Sequence, residues 1–229
     1  MNAALRQAPT PLTRSVEDYI KVIYHVSGQA GFASPSEVAT MLDVARPSVT
    51  GMIKRLSETG LTEHVPYRGI QLTAAGRRAA LRMIRRHRIL ETYLTRRLGY
   101  DWDSVHEEAE RLEHAVSDKL IDRMAVALGA PRYDPHGEPI PTAAGEMEET
   151  ELIALARAQV GPALELREVR TQDPQRLRYL AEQGLIPGTR MEVTERQPFN
   201  GPTMVLAGGV TRVVGQELAG MLWCRQVKG

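Results

Sequence analysis

Apolar residues fall into helical register early in the chain. Val16, Tyr19, Ile20, Ile23 and Val26 form one stripe, which predicts an amphipathic helix over 15–27 with Asp18 just off the buried edge. Ser34-Pro35-Ser36-Glu37 follows, with a capping serine, a proline suited to the first helical position and a glutamate that completes a capping box. The helix it opens, 35–42, buries Val38, Ala39 and Leu42. After a break at Asp43-Val44, Pro47 opens a second short helix with Val49, Ile53 and Leu56 inward and Gly60 past its end. Two short helices across a tight turn make a helix-turn-helix. The strands 61–65 and 70–72, joined by Pro66-Tyr67-Arg68-Gly69, predict a small hairpin, the wing of a winged helix.

A long arginine-rich helix runs from Thr73 to about Gly99. A further helix is expected from 103 to 112, continuing through 128. Its second half carries Ala115, Val116, Leu120, Ile121, Met124, Ala125 and Leu128 on a broad apolar face that suits packing between subunits. Residues 129–145 hold four prolines and three glycines and read as a linker. A short acidic helix is expected from about 150. Alternating segments at 164–169, 191–193, 204–206 and 210–214 then predict a small β-barrel. The fold class is mainly α with small β elements. Its divisions are a flexible tail (1–13), a winged helix-turn-helix (14–73), a helical dimerisation and metal-binding domain with its linker (74–145), and an SH3-like barrel (150–229).

Composition narrows the chemistry. Of 229 residues, 42% are hydrophobic and 25% charged, which suits a soluble globular protein. The single cysteine, Cys224, excludes an internal disulfide, a cysteine-based zinc finger and an iron–sulfur cluster within one chain. Beside Trp223, it reads as a small buried hydrophobe. No apolar stretch is long enough to predict a transmembrane helix, and no apolar run follows the arginines of the first fifteen residues, so a cytoplasmic location is expected. The net charge of +1 hides an asymmetry. Residues 46–97 hold twelve lysines and arginines against three acids, a local +9. Residues 101–118 hold one arginine against seven acids, a local −6. A polyanion-binding surface beside a cation-attracting block is one reading, and two solvated helix faces are the other.

The acidic block also carries histidines. His106, Glu110, Glu113 and His114 stand at i, i+4, i+7 and i+8, one face of a single expected helix, and His87 and Glu91 repeat the i, i+4 pairing on the helix before. Imidazoles and carboxylates so spaced suit a first-row divalent metal. His25 reads as a packed core residue. His64 and His136 lack carboxylates at metal spacing.

These motifs resemble the diphtheria toxin repressor/manganese transport regulator family. The resemblance rests on the winged helix, on Arg86-His87-Arg88-Ile89-Leu90-Glu91, and on His106-Glu107-Glu108-Ala109-Glu110-Arg111-Leu112-Glu113-His114. It extends to Val16-Glu17-Asp18-Tyr19-Ile20, to Asp134-Pro135-His136-Gly137-Glu138-Pro139-Ile140-Pro141 and to the SH3-like tail. It implies one metal site at Asp18, Glu110, Glu113 and His114 and a second at His87, Glu91 and His106. Where the iron-responsive branch holds Met and Cys, this chain has Asp18 and Glu110, as in the manganese branch. Oxygen donors favour Mn(II), with Fe(II) as runner-up. Lys21 replaces a carboxylate often present in manganese regulators and favours two separate sites over one bridged centre. Asp173 is the best candidate for a ligand from the barrel.

The implied function is that of a homodimeric, metal-activated repressor of metal-ion uptake genes that binds a double-stranded DNA operator, with no membrane partner and no small-molecule substrate. Pro47, Ser48, Thr50, Gly51, Lys54 and Arg55 occupy the outer face of the recognition helix, with Arg46 before it and Arg68 in the wing. The arginines at 77, 78, 82, 85, 86 and 88 divide between phosphate contacts and a solvated face. Two rival readings are a winged-helix regulator with a non-metal effector or purely structural metal, and a di-metal helical-bundle enzyme. The enzyme would need Glu-x-x-His pairs on two helices, whereas this chain has His87-x-x-x-Glu91 and Glu110-x-x-x-His114. No enzymatic activity is expected.

Overall fold

A computed structural model describes residues 12–227. All but the last two residues of the expected N-terminal tail lie outside that range. The chain divides into two compact units, one ending at Ile84 and the other beginning at Arg85.

The first unit holds α1 (Arg14–Ser27), α2 (Pro35–Leu42), α3 (Arg46–Glu58), and the hairpin β1 (Thr62–Val65) and β2 (Gly69–Leu72). Val16, Ile20, Ile23, Val38, Val49, Leu56 and Ile70 close its core. The capping box forms as expected. The Glu37 N–H donates to Ser34 Oγ at 3.2 Å, and the Ser34 N–H donates to Glu37 Oε2 at 2.9 Å. Asp43 takes the left-handed conformation that ends α2 and turns the chain into α3. His25 does not join the core. It lies two residues from Ile23, about 200° around the helix, and is exposed.

The long helix α4 (Ala74–Leu98) passes from the first unit into the second. There it is followed by α5 (Val105–Leu112) and α6 (Asp118–Ala127) rather than by one unbroken helix. Glu113 ends α5, and the Ser117 hydroxyl accepts the Leu120 N–H at 3.3 Å to cap a new helix. This Ser-Asp start overrides an apolar pattern that is continuous across the break. Ile89, Leu90, Ala109, Ile121, Ala125 and Ile140 pack together, while Leu120 and Val126 remain exposed on α6.

The expected linker is a compact loop. Tyr133 pairs with Pro139, Arg85 donates to the Pro141 carbonyl at 3.1 Å, and Arg88 donates to that of Pro139. Beyond it lie β3 (Ile153–Ala154), β4 (Ala163–Val169), α7 (Pro174–Glu182), β5 (Arg190–Arg196), β6 (Thr203–Ala207), β7 (Val210–Val214), α8 (Gln216–Met221) and β8 (Leu222–Gln226). The strands form one antiparallel sheet in the order β3-β8-β4-β5-β6-β7 over its own core, which includes the fully buried Cys224. The acidic helix expected near 150 does not form. A strand and a short 3-10 turn stand there, and the Arg196 guanidinium binds the carbonyls of Leu155, Ala156 and Ala158. Those carbonyls take a cation in place of helical N–H groups.

Gly76 marks the tightest approach in the first unit. A Cβ there would stand 1.9 Å from the Leu61 carbonyl oxygen. Gly76→Ala is expected to cost roughly 1–3 kcal/mol of stability, read as a lower urea midpoint at unchanged slope.

Candidate metal centre

Helix α4 supplies the centre with His87 and Glu91, one turn apart on a face turned away from water. Helix α5 brings His106 and Glu110, and its end brings Glu113 and His114. Glu113, the residue that ends α5, is still in helical conformation with its N–H on the Ala109 carbonyl at 2.9 Å, so it keeps the expected spacing from His106 with its carboxylate fully buried, and His114 follows just past the helix end.

Three donor atoms form a near-equilateral triangle. His87 Nε2 lies 2.9 Å from Glu91 Oε1 and 3.0 Å from His106 Nδ1, and His106 Nδ1 lies 3.1 Å from Glu91 Oε1. The other His87 nitrogen, Nδ1, lies 2.6 Å from Glu113 Oε2 and 3.8 Å from Glu110 Oε1. His114 Nε2 lies 3.4 Å from Glu113 Oε1. His87 thus touches residues from both of the ligand sets that the resemblance implied. Asp18 is half-buried on α1 in the first unit.

Two further donors come from the loop once read as a linker. His136 is buried, with Nδ1 3.8 Å from Glu91 Oε2 and Nε2 donating to the Trp102 carbonyl at 2.9 Å. Asp134 is buried beside it, and one ligand atom from each of Glu91, Asp134 and His136 lies within 4.8 Å of the others. The expectation that His136 lacks a carboxylate neighbour is therefore corrected. Its partner is 45 residues away in sequence on α4, beyond the reach of any spacing rule. Asp134-Pro135-His136-Gly137 was the available signal. Asp134 Oδ1 also accepts the N–H groups of His136 and Glu138, both at 2.9 Å, which fixes the loop.

The arginine row of α4 serves the fold here. Arg85 and Arg86 pair with Asp122 and Asp118, and Arg88 pairs with Glu138 and sits 3.5 Å from Asp134. These three guanidinia are thus engaged within the unit rather than offered to phosphate. Asp173 caps α7, accepting the N–H groups of Gln175 at 2.8 Å and Arg176 at 3.2 Å. On the first unit, Arg46, Pro47, Ser48, Thr50, Gly51, Lys54 and Arg55 are all exposed on α3. Arg68 is exposed in the wing, its guanidinium 5.2 Å from the Phe32 ring centre.

The electrostatics follow from burial. Desolvation alone would raise the Glu91 pKa, but the His87 charge and the imidazoles of His106, His136 and His87 outweigh it and hold Glu91 well below the usual carboxylate range. Burial raises Asp134 to about 7, aided by Glu138 and opposed by Arg88. Burial would lower His136, but Glu91, Asp134 and the Trp102 carbonyl raise it to about 9. In the metal-free protein the folded state therefore binds this proton more tightly than the unfolded chain does. The resulting stabilisation is complete below about pH 6.5 and is lost as pH rises through about 9. In EDTA, His136→Gln is expected to be less stable than the wild type at pH 6, by on the order of 2–3 kcal/mol, with the gap closing by pH 10. Urea unfolding across that range measures it, and a gap that widened with pH would contradict the assignment.

Comparison with known proteins places this geometry. Residues 11–70 match the family of iron dependent repressor N-terminal DNA binding domains, and residues 73–142 match that of iron dependent repressor metal binding and dimerisation domains. Residues 153–226 match the FeoA domain. The iron-dependent repressor IdeR of Mycobacterium tuberculosis is 28% identical over 223 residues, covering 91% of this chain and 95% of its own. The regulator MntR of Lysinibacillus sphaericus is 38% identical over 117 residues, covering 51% of this chain and 81% of its own. A solved manganese-dependent transcriptional repressor in complex with manganese superposes with a TM-score of 0.86 at 38% identity, covering 93% of this chain and all of that one. With its DNA-binding unit, its histidine and carboxylate cluster and its FeoA domain in the same order, this chain belongs to the diphtheria toxin repressor/manganese transport regulator family of metal-dependent transcriptional regulators.

Proposed function

We propose that this protein is a homodimeric repressor of metal-ion uptake genes that binds its double-stranded operator when Mn(II), or Fe(II) as the alternative, is bound. The triangle of His87 Nε2, Glu91 Oε1 and His106 Nδ1, with sides of 2.9–3.1 Å, carries this reading. A first-row ion holds its ligands at about 2.0–2.2 Å, which sets neighbouring donors about 3 Å apart. The donors are oxygen and imidazole with no thiolate, and that chemistry suits manganese better than softer ions. Bound there, the ion would supply two positive charges beside the buried Glu91. His87, Glu91 and His106 hold one site, and Glu110, Glu113 and His114 belong to the other. Asp18 enters that second set on the strength of the sequence resemblance. His136 and Asp134 stand behind Glu91 and orient it.

Binding of DNA falls to the exposed face of α3. Ser48, Thr50, Gly51 and Pro47 are small enough to approach base edges, while Arg46, Lys54, Arg55 and, from the wing, Arg68 carry the charge that phosphates require. The exposed Leu120 and Val126 on α6 suit the contact between two copies. Family membership favours this regulator over the helical-bundle enzyme.

The test is a gel-shift titration on a duplex selected from a randomised pool in Mn(II). The wild type is expected to bind only with metal, and to lose and regain binding as chelator is added and overcome while its circular dichroism is unchanged. Glu113→Gln and His106→Gln are each expected to need at least tenfold more Mn(II), in keeping with the loss of a ligand. Metal dependence unchanged in both would overturn the site, and binding indifferent to chelator would return the function to a non-metal effector.

A further inference from the structure

Glu91 presents its two oxygens to two different groups of donors. Oε1 faces His87 and His106, whereas Oε2 faces His136 Nδ1 at 3.8 Å. Asp134 completes the second group, in which one ligand atom from each of Glu91, Asp134 and His136 lies within 4.8 Å of the others. All three side chains are buried.

His136 is arranged as a metal ligand is arranged. Its Nε2 lies 2.9 Å from the Trp102 carbonyl, which can only accept, so Nε2 carries the proton and the neutral ring turns the lone pair of Nδ1 toward Glu91. A ring N–H given to a backbone carbonyl is the usual outer partner of a metal-bound histidine. The backbone is pinned on both sides. The His136 N–H donates to Asp134 Oδ1 at 2.9 Å, and its carbonyl accepts the Val169 N–H at 3.0 Å. The Trp102 ring stacks on the imidazole. At 3.8 Å, Nδ1 and Glu91 Oε2 are too far apart for a hydrogen bond. Two ligands of one ion, each held at about 2.2 Å and separated by roughly 90–120°, stand about 3.1–3.8 Å apart. Charge points the same way. Glu91, Asp134 and Glu138 gather around a single guanidinium, that of Arg88, which pairs with Glu138 and lies 3.5 Å from Asp134. One fixed positive charge thus stands against three negative ones, and a divalent cation offsets the excess.

We propose that Asp134, His136 Nδ1 and Glu91 Oε2 hold a further divalent cation, with Glu91 bridging it to the ion of His87 and His106. This deepens the metal-binding reading above and rests on it. Two carboxylates and an imidazole suit Mn(II) or Fe(II). The ion would tie the loop over 132–142 to α4, so that His136 and Asp134 do more than orient Glu91. The test is a count of bound Mn(II) after equilibrium dialysis of the full-length protein. Asp134→Asn keeps an oxygen for the N–H groups of His136 and Glu138 but gives up the charge. His136→Phe keeps a ring against Trp102 but removes the nitrogen donor. The wild type is expected to hold one ion per chain more than either variant, with the affinity for that ion falling at least tenfold in each. Shut away from water, this ion should be the last to leave when EDTA is added, a phase that both variants lack. His106→Gln should lose the neighbouring ion and keep this one. Equal counts in the wild type and Asp134→Asn would overturn the proposal and leave the cluster to protons, with the His87–His106 site intact. Loss of every ion in Asp134→Asn would also overturn it, by making Asp134 a support for that site alone. If the wild type takes up no Mn(II), the metal-binding reading fails first and takes this proposal with it.

Discussion

A dry carboxylate surrounded by imidazoles is the constraint on which the second unit depends. Glu91 is 1% exposed and faces His87, His106 and His136 from three separate segments of chain. An ionised carboxylate out of water costs several kcal/mol unless opposite charge or hydrogen bonds replace its hydration. A neutral imidazole offers one N–H for this and a protonated one offers two, and a nitrogen that carries a proton cannot bind metal. In the proposed site the same atoms serve either protons or a divalent cation. Metal binding must displace protons, so affinity rises with pH while the metal-free cluster weakens.

The loop over 132–142 couples this cluster to the β domain. Its Pro and Gly content suggests slack, yet nearly every polar group in it has a task. Asp134 gathers two backbone N–H groups, Arg88 reaches it from α4, and the His136 carbonyl accepts the Val169 N–H of β4 at 3.0 Å. Gly137 passes so close to β4 that a Cβ would overlap the Arg167 carbonyl oxygen at 1.7 Å. Trp102 packs against the β-domain core and stacks on the His136 ring with centroids 5.6 Å apart. The loop that carries His136 is thus tied to β4 by a backbone hydrogen bond and by a close approach that only glycine permits.

In the first unit the apolar stripes face the core, and the exposed face of α3 carries small and basic residues that have no part in packing. This separation leaves the exposed residues free to vary while the fold is kept by Val49, Leu56 and Ile70. The wing follows the same division. Gly69 and Ile70 are bound to the core, and Tyr67 is not.

Periodicity and capping chemistry determined much of this protein from the chain alone. The stripe over 16–26, the Ser34 capping box, the proline-opened α3 and the turn residues of the wing are local, and their physics acts within a few residues. The pairing of His87 with Glu91 was legible for the same reason, since one helical turn brings them together. Tertiary structure decided what local rules could not reach. Ser117 breaks the apolar run and caps a new helix. Arg85, Arg86 and Arg88 find carboxylates 30 to 50 residues away, so half of a basic row becomes internal scaffolding while Arg77, Arg78 and Arg82 stay exposed. His136 joins the cluster only because the loop folds back onto α4. Sequence spacing reports neighbours along one element, whereas a buried charge takes its partners from whichever elements the core brings around it.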